Sequence, residues 1–186
     1  HVEGERLSDL HFVNGKAITD GREKVVNRIF VVEDKNLNDI GDRETALSVS
    51  WYDRNKKTVL MVELKNRLYN FFRNISKTPS EKNMWTTFNR CKGILKGGGY
   101  SKGFVACNAR ATNEYKDKTA VAYLCNRYYD PILKGFFLSK DIRVEENQWA
   151  LSELIQYLFR SAIRIGEKEE DNSIICFIPS RRMRGL

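Results

Sequence analysis

At 186 residues, with 41% hydrophobic and 30% charged residues, the chain has the size and apolar content of one folded domain and is not a disordered tail. A net charge of +8 favours a polyanionic partner, nucleic acid first. No apolar run is long enough to cross a membrane and no signal peptide is visible, so the expected location is cytoplasmic.

The four cysteines, Cys91, Cys107, Cys125 and Cys176, form no CxxC pair. Three lie in apolar strand-like runs, the pattern of buried free thiols in a reducing compartment. The chain opens on His1 rather than Met, as a piece excised from a longer protein would.

Residues 1–45 carry the fewest signals. LHFVNGKAI (10–18) and RIFVVED (28–34) read as short strands between polar turns, and DKNLNDIGDRE (34–44) as an exposed loop. Gly15-Lys16 lacks the upstream glycine of a Walker A loop, and His11 is structural or solvent-exposed. Residues 46–76 admit two readings. In one, a strand ends at Tyr52, a turn spans 53–57, and a long helix buries Met61, Leu64, Leu68, Phe71, Phe72 and Ile75. In the other, residues 58–65 are the second strand of a hairpin. Asp53, Glu63 and Lys65 then imitate the D…ExK pattern of Mg²⁺-dependent nucleases, where carboxylates hold the metal and the lysine steadies the attacking water. The apolar repeat runs on at helical period through Ile75, which favours the helix.

After a break at 77–80, residues 84–88 read as a strand, 89–96 as a short helix, 97–99 as a glycine turn and 103–107 as a second strand, together one βαβ unit. Ligands of open α/β sheets meet the carboxyl ends of strands. That singles out Thr86, Thr87 and Asn89 after the first strand, and Asn108, Arg110, Thr112, Asn113 and Glu114 after the second. TAVAYLCN (119–126) is the clearest strand and, being nearly all apolar, a central one. A turn at Asp130-Pro131 leads to a short amphipathic piece ending near Ser139, with Tyr128, Tyr129, Phe136 and Phe137 as packing residues. WALSELIQYLFRSAIR (149–164) reads as one helix. Leu151, Leu154, Ile155, Leu158, Ala162 and Ile163 form its apolar face, and Gln156, Arg160 and Arg164 stack four residues apart on another. An acidic surface loop (166–172), a last strand (173–179) and a basic tail follow.

From about residue 83 to 186, the order of these elements and the residues at their ends resemble the second RecA-like domain of a superfamily 2 helicase, of the divergent kind found in bacterial phages and mobile elements. MWTTF stands in the place of motif IV and VACNARATNEY in that of motif V. QYLFRSAIR is similar to motif VI, Q-x-x-G-R-x-G-R. Gln156 and Arg160 match at the family spacing, while Arg164 stands one residue late and Phe159 and Ala162 replace the glycines.

The resemblance implies an α/β domain with a mostly parallel β-sheet flanked by helices over residues 59–186, preceded by an N-terminal extension at 1–58. It implies ATP and Mg²⁺ as cofactors, bound mainly by an N-terminal RecA-like domain of the same polypeptide, with nucleic acid, DNA ahead of RNA, as partner. Arg160 would be an arginine finger, Arg164 a second, and Gln156 would orient them or the water. Arg110, Asn113 and Glu114 would serve the nucleotide, and Thr86, Thr87, Lys102 and Thr112 the sugar-phosphate backbone. No Walker A loop and no DExx carboxylate pair are present, so the chain alone is expected to turn over no ATP. The alternatives are the nuclease above and a non-catalytic nucleic-acid-binding domain.

Overall fold

The computed structural model describes residues 25–109, 114–164 and 172–186, and residues 12–13 and 16–17 by their backbone, which pairs as a two-residue antiparallel ladder. Four strands, β1 (Ile29–Val31), β2 (Asn83–Thr86), β3 (Ala120–Tyr123) and β4 (Ile174–Phe177), make a sheet in the order β1–β4–β3–β2, with every pairing parallel. A parallel sheet is covered on both faces, so its central strand must be apolar throughout. β3 meets that demand as expected, with all four of its residues fully buried. Its side chains alternate between two cores. Ala120 and Ala122 face α2 (Val49–Asn55), α3 (Val59–Asn70) and α4 (Lys92–Leu95), and Val121 and Tyr123 face α6 (Glu146–Leu158) and α7 (Arg181–Arg184).

The first core is aromatic. Phe71 stacks against Phe177 and Phe72 against Tyr100, while Trp85 donates through Nε1 to the Tyr100 carbonyl at 3.0 Å. The expected helical stripe is real: Met61, Leu64, Leu68, Phe71 and Phe72 are all buried, and α3 runs on as a π-helical turn over Phe71–Ile75. Residues 59–65 are therefore helix, with Thr58 as its extended N-cap residue. The nuclease reading fails on this point, because Glu63 and Lys65, two apart on a helix, point to different sides. Asp53 is paired with Arg90 at 2.9 Å and Glu63 with Arg67.

Three other expectations change. The strand expected to end at Tyr52 is α2, capped by Ser48, whose Oγ accepts from the Trp51 N–H at 3.3 Å. The loop expected at 34–44 folds into α1 (Lys35–Asn38) and a 3₁₀ turn (Asp39–Gly41), with Asp34 accepting from Leu37 N and Leu37 buried in the core. The second strand of the βαβ unit shrinks to one parallel bridge, Trp85 to Phe104. The division at residue 58 has no counterpart in the packing either. β1 is hydrogen-bonded to β4, and Leu37, Leu47, Trp51 and Tyr52 share one core with α3.

The connection that runs outward from β1 to β2 carries α2 and α3 over the first face. The inward connection from β3 to β4 carries α6 over the second. Opposite travel on opposite faces is what one constant hand of crossover requires. Between β3 and α6, α5 (Pro131–Leu138) is capped by Asp130 and buries none of its residues, leaving Ile132 and Phe136 exposed.

Helix α6 begins earlier and ends earlier than its sequence suggests. It stops at Leu158, and Ala162–Arg164 forms a separate 3₁₀ turn. The apolar period continues through Ala162 and Ile163, but the Ala162 N–H donates to the Lys118 carbonyl at 3.0 Å, in the segment leading into β3. That bond takes the backbone off the helical path. The acidic loop at 166–171 lies outside the described residues.

Candidate functional site

A hollow of about 550 Å³ opens where α6 ends. One wall is Cys107, Asn108 and Ala109; the other is Glu153, Gln156, Phe159, Arg160 and Arg164. The segment matched to motif V and the residues matched to motif VI thus meet, although Gln156, Arg160 and Arg164 sit on a helix, a turn and a 3₁₀ element instead of one continuous helix.

Arg160 is only 6% exposed. Its Nη2 donates to the Ala109 carbonyl at 2.7 Å and its Nη1 to the Cys107 carbonyl at 3.2 Å. The guanidinium lies 5.6 Å from the Tyr157 ring centroid, and its Nε is buried without a partner. No carboxylate pairs with it among the described contacts; it braces the 107–109 loop. Gln156 and Arg164 are exposed on the rim. Glu114 is exposed and hydrogen-bonded to Tyr115, whose phenol also lies in the field of Arg160; burial first and Glu114 second raise the Tyr115 pKa. Arg110, Thr112 and Asn113 lie outside the described residues.

At the floor of the hollow, Arg127 donates from Nη1 to Cys107 Sγ at 3.3 Å, pairs with Glu153 at 2.9 Å and lies over Trp149. Cys107 is half-buried, whereas Cys91, Cys125 and Cys176 are buried. Coupling to the Cys125 thiol, aided by the Arg127 charge and opposed by burial, pulls the Cys107 thiol from 9.0 down to about 6. Sequence reasoning missed this cluster, because its members lie in three separate segments.

The carboxyl ends of the strands, where a ligand was expected, are occupied by the protein itself. Asn126 donates from Nδ2 to the Glu44 and Ala46 carbonyls at 2.6 and 2.9 Å, drawing residues 44–47 over the sheet. There Leu47 takes a left-handed φ of 62° while fully buried, and its carbonyl accepts from Asn126 N. Arg182 closes the network. Its Nη1 donates to Asn126 Oδ1 at 3.0 Å and to the Arg127 carbonyl at 2.7 Å, its Nη2 reaches Asn147 Oδ1, and its guanidinium covers Tyr128. The basic tail is therefore in part a structural clamp.

This burial corrects the expected nucleic-acid set. Thr86 and Thr87 are 0% exposed with their hydroxyls enclosed, so neither can touch a sugar-phosphate backbone in this conformation. Lys102 is exposed, but it stands beside Gly103, whose α-carbon packs on the Asn83 carbonyl at the opposite end of β2. The three do not converge. Among the described residues there is no group of three or more His, Cys, Asp or Glu placed to hold a metal, and no helix is long and apolar enough to cross a membrane.

The model of the YonV C-terminal Rossmann-like domain family matches residues 23–186. The chain belongs to this family. It is 43% identical over 165 residues to the SPbeta prophage-derived uncharacterized protein YonV of Bacillus subtilis (strain 168), a match covering 89% of this chain. The chain spans 38% of the length of that curated relative. No solved structure matches. The Rossmann-like α/β class agrees with the parallel sheet flanked by helices, and the prophage origin of the relative with the phage kinship expected from the motifs.

Proposed function

We propose that this domain is the second RecA-like module of an ATP-dependent nucleic-acid translocase, closing an ATP site built mainly by a preceding domain of the same polypeptide. The observation that carries the reading is the meeting of residues 107–109 with Gln156, Arg160 and Arg164 around one hollow. The greater part of the relative's length lies outside the match, which leaves room for such a partner domain.

The donor set suits phosphate. Arg164 and Gln156 line the rim with N–H-bearing side chains, and the nearby Glu153 carboxylate is neutralised by Arg127. A guanidinium aimed at the transferred phosphoryl group stabilises the charge that builds there, and its fork matches phosphate oxygens. This reading differs from the roles first expected. Arg164 takes the finger position and Gln156 orients, while Arg160 is a positioning residue that holds the motif V loop against both. In this reading Mg²⁺ enters with the nucleotide; no carboxylate cluster that would hold it occurs among the described residues. Nucleic acid binds through the basic surface, by backbone charge rather than sequence.

The test is ATP hydrolysis by the full-length protein with and without single-stranded DNA. Arg164→Ala lowers kcat by roughly 10³ while DNA affinity stays near wild type, and the isolated domain hydrolyses nothing. Wild-type turnover by Arg164→Ala would remove the assignment.

A further inference from the structure

We propose that Cys107 and Cys125 form an oxidisable thiol pair in which Cys107, at the floor of the hollow, is the site of attack on hydroperoxides and Cys125 is the resolving thiol. The proposal stands on the arrangement of the thiols and does not depend on the translocase reading. Cys107 lines the hollow and is half-buried, so a small electrophile reaches it, whereas Cys125 is fully buried in the core cluster against which Cys107 packs. The two thiols are electrostatically coupled, and the coupling favours the proton on Cys125 and the charge on Cys107. Arg127 Nη1 lies 3.3 Å from Cys107 Sγ and is itself anchored by Glu153 at 2.9 Å.

A second observation points to the same place. Tyr123 and Tyr157, both fully buried, present hydroxyls with no partner, and the buried Arg160 Nε has none either. Both phenols lie in the field of Cys107 and Cys125, and Tyr157 also in that of Arg160. Arg160 donates to the Cys107 carbonyl at 3.2 Å and the two phenol rings lie 5.4 Å apart, so these polar atoms share the core face against which Cys107 packs.

The titratable and charged groups facing Cys107 are Cys125, Arg127 and Glu153, with Tyr123 and Tyr157 behind them and the Arg160 guanidinium on the Cys107 carbonyl. The cationic neighbour and the coupling to Cys125 favour the thiolate, which is the reactive form. The thiolate attacks the peroxide O–O bond. A sulfenic acid forms at Cys107 as the peroxide is reduced, with hydroxide (or alkoxide, from an organic peroxide) leaving. The Cys125 sulfur then displaces the sulfenic oxygen. Its proton leaves with that oxygen as water, and the S–S bond forms. Cys91 and Cys176 are buried, and burial is the first cause raising each thiol, so they serve as internal references.

The protein is exposed to hydrogen peroxide, digested without reduction and mapped by mass spectrometry. The expected product is one linked peptide pair joining Cys107 to Cys125, lighter than the reduced pair by two hydrogens. In Cys125→Ser the sulfenic acid persists, and dimedone labels Cys107. Iodoacetamide at pH 7 labels Cys107 at least about tenfold faster than Cys91 or Cys176, and Arg127→Ala narrows that gap while Arg127→Lys restores part of it. Absence of the Cys107–Cys125 linkage together with absence of dimedone labelling in Cys125→Ser overturns the proposal. So does alkylation of Cys107 with the pH profile of the urea-unfolded chain.

Discussion

The Arg160 guanidinium donates to the Ala109 carbonyl at 2.7 Å across 51 positions of sequence. With its second bond, to the Cys107 carbonyl, it joins the end of α6 to the loop that forms the other wall of the hollow. Hydrogen bonds from a charged donor to buried carbonyls are among the stronger ones, and losing the donor leaves both acceptors unsatisfied.

Arg160→Ala is therefore expected to destabilise the domain by about 3 kcal/mol, measured by urea unfolding. Amide exchange at Ala109 should rise before exchange at β3 does, because the loop loses its brace while the sheet keeps its own. Arg160→Lys should recover less than half of the loss. An ammonium is a point charge and cannot reproduce a fork that serves two carbonyls at once.

Asn126 is 1% exposed and ties two segments together through one amide: the Glu44 and Ala46 carbonyls on one side and Arg182 of α7 on the other. Asn126→Ala leaves the buried Ala46 carbonyl without its donor, while the Glu44 carbonyl keeps the Tyr128 hydroxyl, and the expected cost is about 2 kcal/mol. Arg182→Ala, at a more exposed position, should cost less, and the double variant less than the sum of the two, since one bond is shared. A double-mutant cycle in thermal unfolding measures the shared part. Additive losses would show that the clamp does not act as a unit.

How much of this was legible in the sequence varied with the reach of the interactions involved. β3 could be read because a doubly covered strand must be apolar, and α3 because its stripe repeats over several turns before reaching Phe72. α2 could not be read from its residues, since VSWYDRN has the aromatic and β-branched look of a strand. Ser48 just before it was the available signal, as the N-cap it proves to be. α1 was hidden because its polar surroundings mask Leu37. The early end of α6 and the clamp role of Arg182 depend on carbonyls far away in sequence, at Lys118 and Arg127. Periodicity carries no trace of those. The gathering of Gln156, Arg160 and Arg164 with residues 107–109, and the bracing bonds of Arg160, follow from nothing local in the sequence.

Glycine positions separate packing from propensity. A Cβ on Gly41 would lie 1.9 Å from the Pro179 carbonyl oxygen, where the 3₁₀ turn after α1 meets the end of β4. Gly41→Ala must push two backbones apart, and a loss of about 3 kcal/mol is expected. Gly135, in the middle of α5, has nothing within 4 Å of its added Cβ. Gly135→Ala should gain about 0.5–1 kcal/mol. Both are read as shifts of the urea midpoint at unchanged slope.

The pH dependence of stability follows from which state holds the protons. Cys107 ionises near 6 when folded and at 9.0 when free, so between those values the unfolded chain binds the extra proton. Stability from this group is therefore fully present above 9.0, and it is lost as pH falls through about 6. The other thiols run the opposite way. Burial raises Cys91, raises Cys125 strongly and pushes Cys176 to about 12, and it also raises the phenols of Tyr52, Tyr123 and Tyr157. These groups stay protonated in the native state after the unfolded chain has lost its protons, so their contribution is present below 9.0 for the thiols and 10.0 for the phenols, and it falls as pH rises beyond. Urea unfolding under reducing conditions should show stability climbing from pH 6 towards 9 and declining above it. Cys107→Ser should flatten the climb and leave the decline untouched. A climb that survives in Cys107→Ser would assign it to another group and remove the thiolate from the native state.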